Sequence, residues 1–137
     1  MAVPQDLEVV PIGVVESTLR SRARAPKQGS EGAPDAWIVV RPEYIEGLHG
    51  IAAGDEVVVL TWLHLARRDT LRTHPRDDPN VPEQGVFNTR SPDRPNPIGL
   101  HRVRVLDVQG NRIHVTDLEA VDATPVVDLK PVLPSDR

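Results

Sequence analysis

The sequence predicts an all-β domain, mainly antiparallel, folded as a barrel or a sandwich with a few short helical turns. Three features point there. Short Val-rich apolar runs recur along the chain, and Val fits a pleated, half-buried surface. Turn residues interrupt those runs repeatedly, for the 137 residues include 14 prolines and 9 glycines. No segment sustains the 3.6-residue apolar period of a packed helix, whereas several short runs end at turn signals.

Taken in order, residues 8–15 are the first expected strand, with Pro11 marking an edge or a bulge because proline cannot donate to a ladder. Residues 18–34 are rich in Gly, Pro and charge and read as a loop. Ala36–Val40 is a second strand. Residues 42–48 suit one helical turn, with Pro42 at its start and Gly47 and Gly50 as stops. Residues 57–64 form the most hydrophobic run, expected as a buried central strand with Trp62 in the core. Residues 66–83 are polar, with no clear period beyond a turn at 66–71. Residues 100–108 and 112–118 flank Gln109-Gly110-Asn111, a hairpin signal, and their imperfect alternation predicts a bulge or bend. Residues 126–129 are a last short strand.

The length is that of one domain, 1–137, with room for a real core. No run approaches the ~20 apolar residues of a membrane helix, and the first residues lack the basic-then-apolar pattern of a secretory signal. A cytoplasmic location without a membrane is therefore expected. The absence of cysteine rules out disulfides, zinc-thiolate sites, iron–sulfur clusters and thiol nucleophiles. No metal is expected either: the five histidines lack ligand spacing, and His74 with Asp77 and Asp78 reads as a solvated loop. Rossmann-type and P-loop glycine motifs are missing. A net charge of −4 argues against a general nucleic-acid coat, leaving two local basic clusters. One is Arg20, Arg22, Arg24 and Lys27; the other is Arg67, Arg68, Arg72 and Arg76.

The second cluster leads into the most informative stretch, GVFNTRSPDRPNPIGL at residues 85–100. Pro92, Pro95 and Pro97 each lock φ and remove a donor, so the segment is neither helix interior nor central strand. The residues before them are pushed toward extended geometry. The result is a stiff loop with little hydrogen bonding of its own, carrying Asn88, Thr89, Arg90, Ser91, Arg94 and Asn96. That is either a rigid connector with solvated arginines or a preorganised binding surface.

The same stretch resembles the signature loop of the TsaA-like family, which includes the TrmO/YaeB proteins and reads roughly G-V-F-A-T-R-S-P-x-R-P-N-P-I-G-[LM]. Asn88 departs from the usual Ala. A second block, VDATPVVDLKP at residues 121–131, resembles V-D-G-T-P-V-[VL]-D-I-K-P, with Ala123 in place of Gly. Residues 12–17 are similar to the family's first strand. The resemblance implies a small β-barrel that works as a homodimer and binds S-adenosylmethionine outside any Rossmann fold. It implies methyl transfer to N6 of threonylcarbamoyladenosine beside a tRNA anticodon.

Carried over residue by residue, the resemblance gives Leu63, His64, Arg90, Leu100, Ala120, Val121, Asp122 and Ala123 as cofactor contacts. Gln28, followed by Gly29, stands where the family has a cofactor-contacting glutamine-proline-glycine turn. The residue chemistry is compatible with this. A guanidinium at Arg90 pairs bidentately with a carboxylate. Asp122 suits a ribose hydroxyl or an ammonium, and Leu63, Leu100 and Val121 suit an adenine. On the substrate side stand Asn88, Thr89, Arg94, Asn96, Asp128 and Lys130, with Arg67 and Arg72 for phosphates. Asp128 and Lys130 share a face of an extended segment and suit either an ion pair with the arginine loop or a substrate contact. No general base is identified; His64 and Asp122 are the candidates. Two rival functions stay open: the same cofactor with a small-molecule acceptor, and a non-enzymatic module that binds the cofactor or a related adenosine ligand.

Overall fold

The computed structural model describes residues 3, 6–20 and 34–136. Gln28 and the basic residues Arg22, Arg24 and Lys27 lie outside the described residues. Eight strands are present among those described: β1 (Gly13–Glu16), β2 (Ala36–Val40), β3 (Glu56–Trp62), β4 (Arg72–Thr73), β5 (Gln84–Gly85), β6 (Ile98–Gln109), β7 (Arg112–Val115) and β8 (Pro125–Pro131). Six of them close into an antiparallel barrel in the order β1-β2-β7-β6-β3-β8, and β8 returns to β1 through Gly13↔Val126 and Val14↔Pro125. β4 and β5 form a separate two-stranded ribbon.

Period-2 alternation builds the wall. Ala36, Ile38 and Val40 of β2, Val57 and Val59 of β3, Val103 and Val105 of β6, and Ile113 and Val115 of β7 all turn inward. They meet Val15 and Val126 in one core. Each such aliphatic side chain contributes roughly 1.5–3 kcal/mol by leaving water. Leu118, fully buried, and Ala120 extend this core into the connection before β8. Pro42–Leu48 is a 3-10 turn that seats Leu48 against it.

The expected strands are present with shifted limits. β1 begins at Gly13 rather than residue 8, because the chain around Pro11 lacks regular pairing. β3 is shorter than residues 57–64 and buried on one face only, since Val58, Leu60 and Trp62 face outward. Trp62 is therefore not in the core; its ring lies under the Arg68 guanidinium, 4.9 Å from its centroid. The hairpin of β6 and β7 carries the expected irregularity, a register shift between Val105 and Asp107. Residues 66–83 conceal the β4–β5 ribbon, whose two-residue strands leave no readable period.

Candidate functional site

The proline loop is held by arginines acting as scaffold. Val86, buried, anchors its start, and a 3-10 turn at Val86–Asn88 follows. Thr89 Oγ1 donates to Val86 O (3.0 Å) and accepts from Ser91 N (3.1 Å). Arg94 Nη1 donates to Thr89 O (3.0 Å) and to Ser91 O (2.9 Å), so this guanidinium braces the turn from within. Arg68 Nε donates to Pro95 O (2.7 Å) and its Nη2 to Asn96 Oδ1 (3.1 Å). Arg67 N donates to Asp93 Oδ1 (2.8 Å), and Arg94 N to Arg67 O (3.0 Å). Prolines removed the loop's own donors, and these arginines and main-chain bonds replace them. The loop is thus well bonded, more so than its composition suggested.

Between this loop, the end of β3, the outer face of β6 and the connection before β8 lies an open cleft of about 1470 Å³. Of the residues singled out from sequence, Leu63, His64, Arg90, Leu100, Ala120 and Val121 line it, together with Thr89, Arg94 and Asn96. Arg90 is exposed, and no partner for its guanidinium occurs among the described residues. The wall is largely apolar where Leu63, Leu100 and Val121 meet it.

Of the other named residues, Ser91, His74, Arg76 and Asp77 also line the cleft, and the remaining candidates stand elsewhere. Asp122 is occupied: its Oδ1 accepts from Ser17 N (3.0 Å) and its Oδ2 pairs with Arg20 (2.6 Å). Neither Asp122 nor Ala123 lines the cleft. Ala123 sits at φ 69, the left-handed region that glycine tolerates best, and donates its N–H to Val15 O (2.8 Å). Asn88 donates to Gln84 Oε1 (3.1 Å) beside the ribbon. Arg72 pairs with Glu83 (3.1 Å) and Arg67 with Asp69 (3.0 Å). The Arg67 hydrogen bond and charge hold the Asp69 carboxyl below its usual range, and the same bond raises Arg67. Asp128 and Lys130 pair with each other (3.0 Å) rather than with the arginine loop. His74 Nδ1 lies 2.8 Å from Val81 O, and no group of three or more His, Asp or Glu suited to a metal occurs among the described residues.

Two features of the cleft were not singled out from sequence. Phe87, the sole Phe, lines it while 79% exposed. His101, buried, and Glu119, partly buried, form a pair with Nδ1 to Oε1 at 2.6 Å, and His101 Nε2 lies 2.7 Å from Thr61 Oγ1. The signal for His101 was available: it occupies an inward position of a strand whose later inward positions are valines.

A closed six-stranded barrel, with a ligand-sized cleft between its outer wall and an arginine-braced proline loop, defines a class in which strand ends and loops carry the site. Comparison with known proteins makes that class specific. The family model of the tRNA-methyltransferase O N-terminal domain matches residues 14–136, and the chain belongs to that family. An S-adenosyl-L-methionine-binding protein of Archaeoglobus fulgidus is 44% identical over 124 residues, which is 90% of this chain and 88% of that one. A probable S-adenosyl-L-methionine-binding protein of Methanothermobacter thermautotrophicus is 40% identical over 126 residues, 92% and 90% of the two chains. The crystal structure of TrmO from Pseudomonas aeruginosa matches with a TM-score of 0.76 at 27% identity over 96% of this chain. This chain spans 58% of the length of that crystallised protein. No described helix is long and apolar enough to cross a membrane.

Proposed function

We propose that the cleft binds S-adenosylmethionine and that the protein is a cytoplasmic methyltransferase acting on N6 of threonylcarbamoyladenosine in tRNA. The observation carrying this reading is the Arg90 guanidinium, without a partner among the described residues, lining the same cleft as Leu63, Leu100 and Val121 in a member of this family. The donor set fits the ligand: a cation for a carboxylate, apolar side chains at Leu63, Leu100 and Val121 for a purine, and an exposed aromatic ring at the mouth. When bound, the sulfonium supplies an activated methyl group for in-line transfer. The protein's part is alignment and exclusion of water. Arg90 fixes the amino-acid tail, the stiff loop holds Arg90, and Phe87 offers a face on which an acceptor base stacks. His64, on the cleft wall, is the candidate to receive a proton from the acceptor nitrogen. Ile98, Leu100 and Leu65 leave apolar surface exposed along the cleft, which supports a homodimer whose second copy covers it; sedimentation equilibrium tests that.

The test is to incubate the protein with S-adenosylmethionine and tRNA carrying threonylcarbamoyladenosine, then analyse the nucleosides by mass spectrometry. The N6-methylated nucleoside is the expected product. Calorimetric binding of S-adenosylmethionine with no product from that tRNA would refute the tRNA assignment. A second reading, a binding module without turnover, is favoured by the names of the archaeal relatives, which state binding and no reaction. Turnover on any acceptor, tRNA or small molecule, removes it.

A further inference from the structure

We infer that Glu119 is a ligand-contacting carboxylate of the cleft, that it accepts a hydrogen bond from a ribose hydroxyl, and that His101 is its positioning residue. The inference rests on the cofactor reading above and gives Glu119 a contact that was one of the two roles open to Asp122, a ribose hydroxyl or an ammonium.

Asp122 has both oxygens engaged and lies off the cleft wall. Glu119 stands three residues earlier and does line it. Its Oε1 is held by His101 Nδ1 at 2.6 Å. The carboxylate has no second partner among the described residues, and no described buried side-chain oxygen or nitrogen lacks a partner, so Oε2 opens to solvent. Its side chain is only 15% exposed, so that opening is narrow and faces the cleft it lines.

The imidazole is fixed from both ends. With the proton on Nδ1 directed at Glu119 Oε1, Nε2 accepts from the Thr61 hydroxyl, and both ring nitrogens are satisfied. Gly99 makes room for this contact: a side chain there would run into Thr61 Oγ1 and come within 2.7 Å of His101 Nε2 and 3.1 Å of Leu63 Cδ2. The imidazole and the Leu63 wall are therefore neighbours. Glu119, which follows Leu118 and precedes Ala120 in a buried connection, lines the same cleft as Leu63 and Val121, so a purine held there would carry its sugar on the side of this carboxylate. A carboxylate with one oxygen anchored keeps the other as an acceptor for a hydroxyl, and leaving a buried charged acceptor without its donor is costly.

The experiment is calorimetry with S-adenosylhomocysteine and its 2′-deoxy and 3′-deoxy counterparts on wild type, Glu119→Gln and His101→Asn, with melting curves confirming folding. Wild type should lose about tenfold in affinity on removal of one of the two hydroxyls. Glu119→Gln should lose a similar factor on the parent ligand and show less than about a twofold further loss on that deoxy ligand. His101→Asn should weaken the hydroxyl-bearing ligand selectively, whereas a merely structural role would weaken all three ligands alike. Full affinity of Glu119→Gln, or losses that multiply independently for variant and ligand, overturns the inference while leaving the cofactor reading in place. No binding by wild type overturns both.

Discussion

Replacing Ala123 by Gly should stabilise this protein, although it removes a methyl group and adds chain freedom. Ala123 sits at φ 69 with its N–H bonded to Val15 O, so the turn before β8 needs a left-handed residue at this point. An L residue pays about 1–2 kcal/mol in that region. Gly avoids that strain but loses roughly 0.4–1 kcal/mol through its freer unfolded state. The difference favours Gly by about 0.5–1 kcal/mol. At ~2.1 cal/mol/K per residue, a chain of 137 residues melts with an entropy of about 0.29 kcal/mol/K. The melting temperature should rise by about 2–3 °C, read by circular dichroism, with the urea midpoint rising and its slope unchanged. Ala123 is exposed and off the cleft wall, so ligand affinity should not change. A variant melting at or below wild type would show that the turn relaxes without strain and would refute the reasoning.

Gly99→Ala would push a methyl into Thr61 Oγ1 and to 2.7 Å from His101 Nε2; a loss of about 1–3 kcal/mol is expected from urea unfolding, together with weaker ligand binding. Arg94 and Arg90 should separate scaffold from site. Arg94→Ala removes two donors to loop carbonyls and should cost about 1–2 kcal/mol of stability, whereas Arg90→Ala should leave the melt unchanged and cut S-adenosylmethionine affinity at least about tenfold. Asp69 titrates below its ordinary range because of Arg67, so its contribution is present above the unfolded value and fades as pH falls through the folded one. Asp69→Asn should flatten a small acid loss below about pH 4, an effect that shrinks in salt because the pair is fully exposed; a steeper acid loss in the variant would contradict it.

What the sequence made readable divides by physical scale. Alternating valines and prolines are local signals, so β2, the β6–β7 hairpin and the proline-braced loop could be read directly, although the stretch 85–100 ends inside β6, which begins at Ile98. The β4–β5 ribbon could not, because two residues per strand carry no period. The outward face of β3 was mistaken for core, since a run of Val, Leu and Trp looks the same whether one face or both are covered. In the site, Leu63, Arg90 and Leu100 were reached through motif resemblance. Glu119 and His101 escaped because their pairing joins residues 18 apart, and the Thr61 contact joins residues 40 apart. Asp122 looked the better carboxylate by pattern, yet the turn at Ala123 directs it to Ser17 and Arg20 instead.

Closure of the barrel falls to its last strand. β8 sits between β3 and β1, the seam through which the cylinder joins, and it is the last of the described strands in chain order. Until residues 125–131 are in place the sheet carries two open margins, β1 and β3, and the earlier strands cannot complete their shared interior. A chain cut shortly before Pro125 would be left as an open sheet with both margins free to pair with other strands.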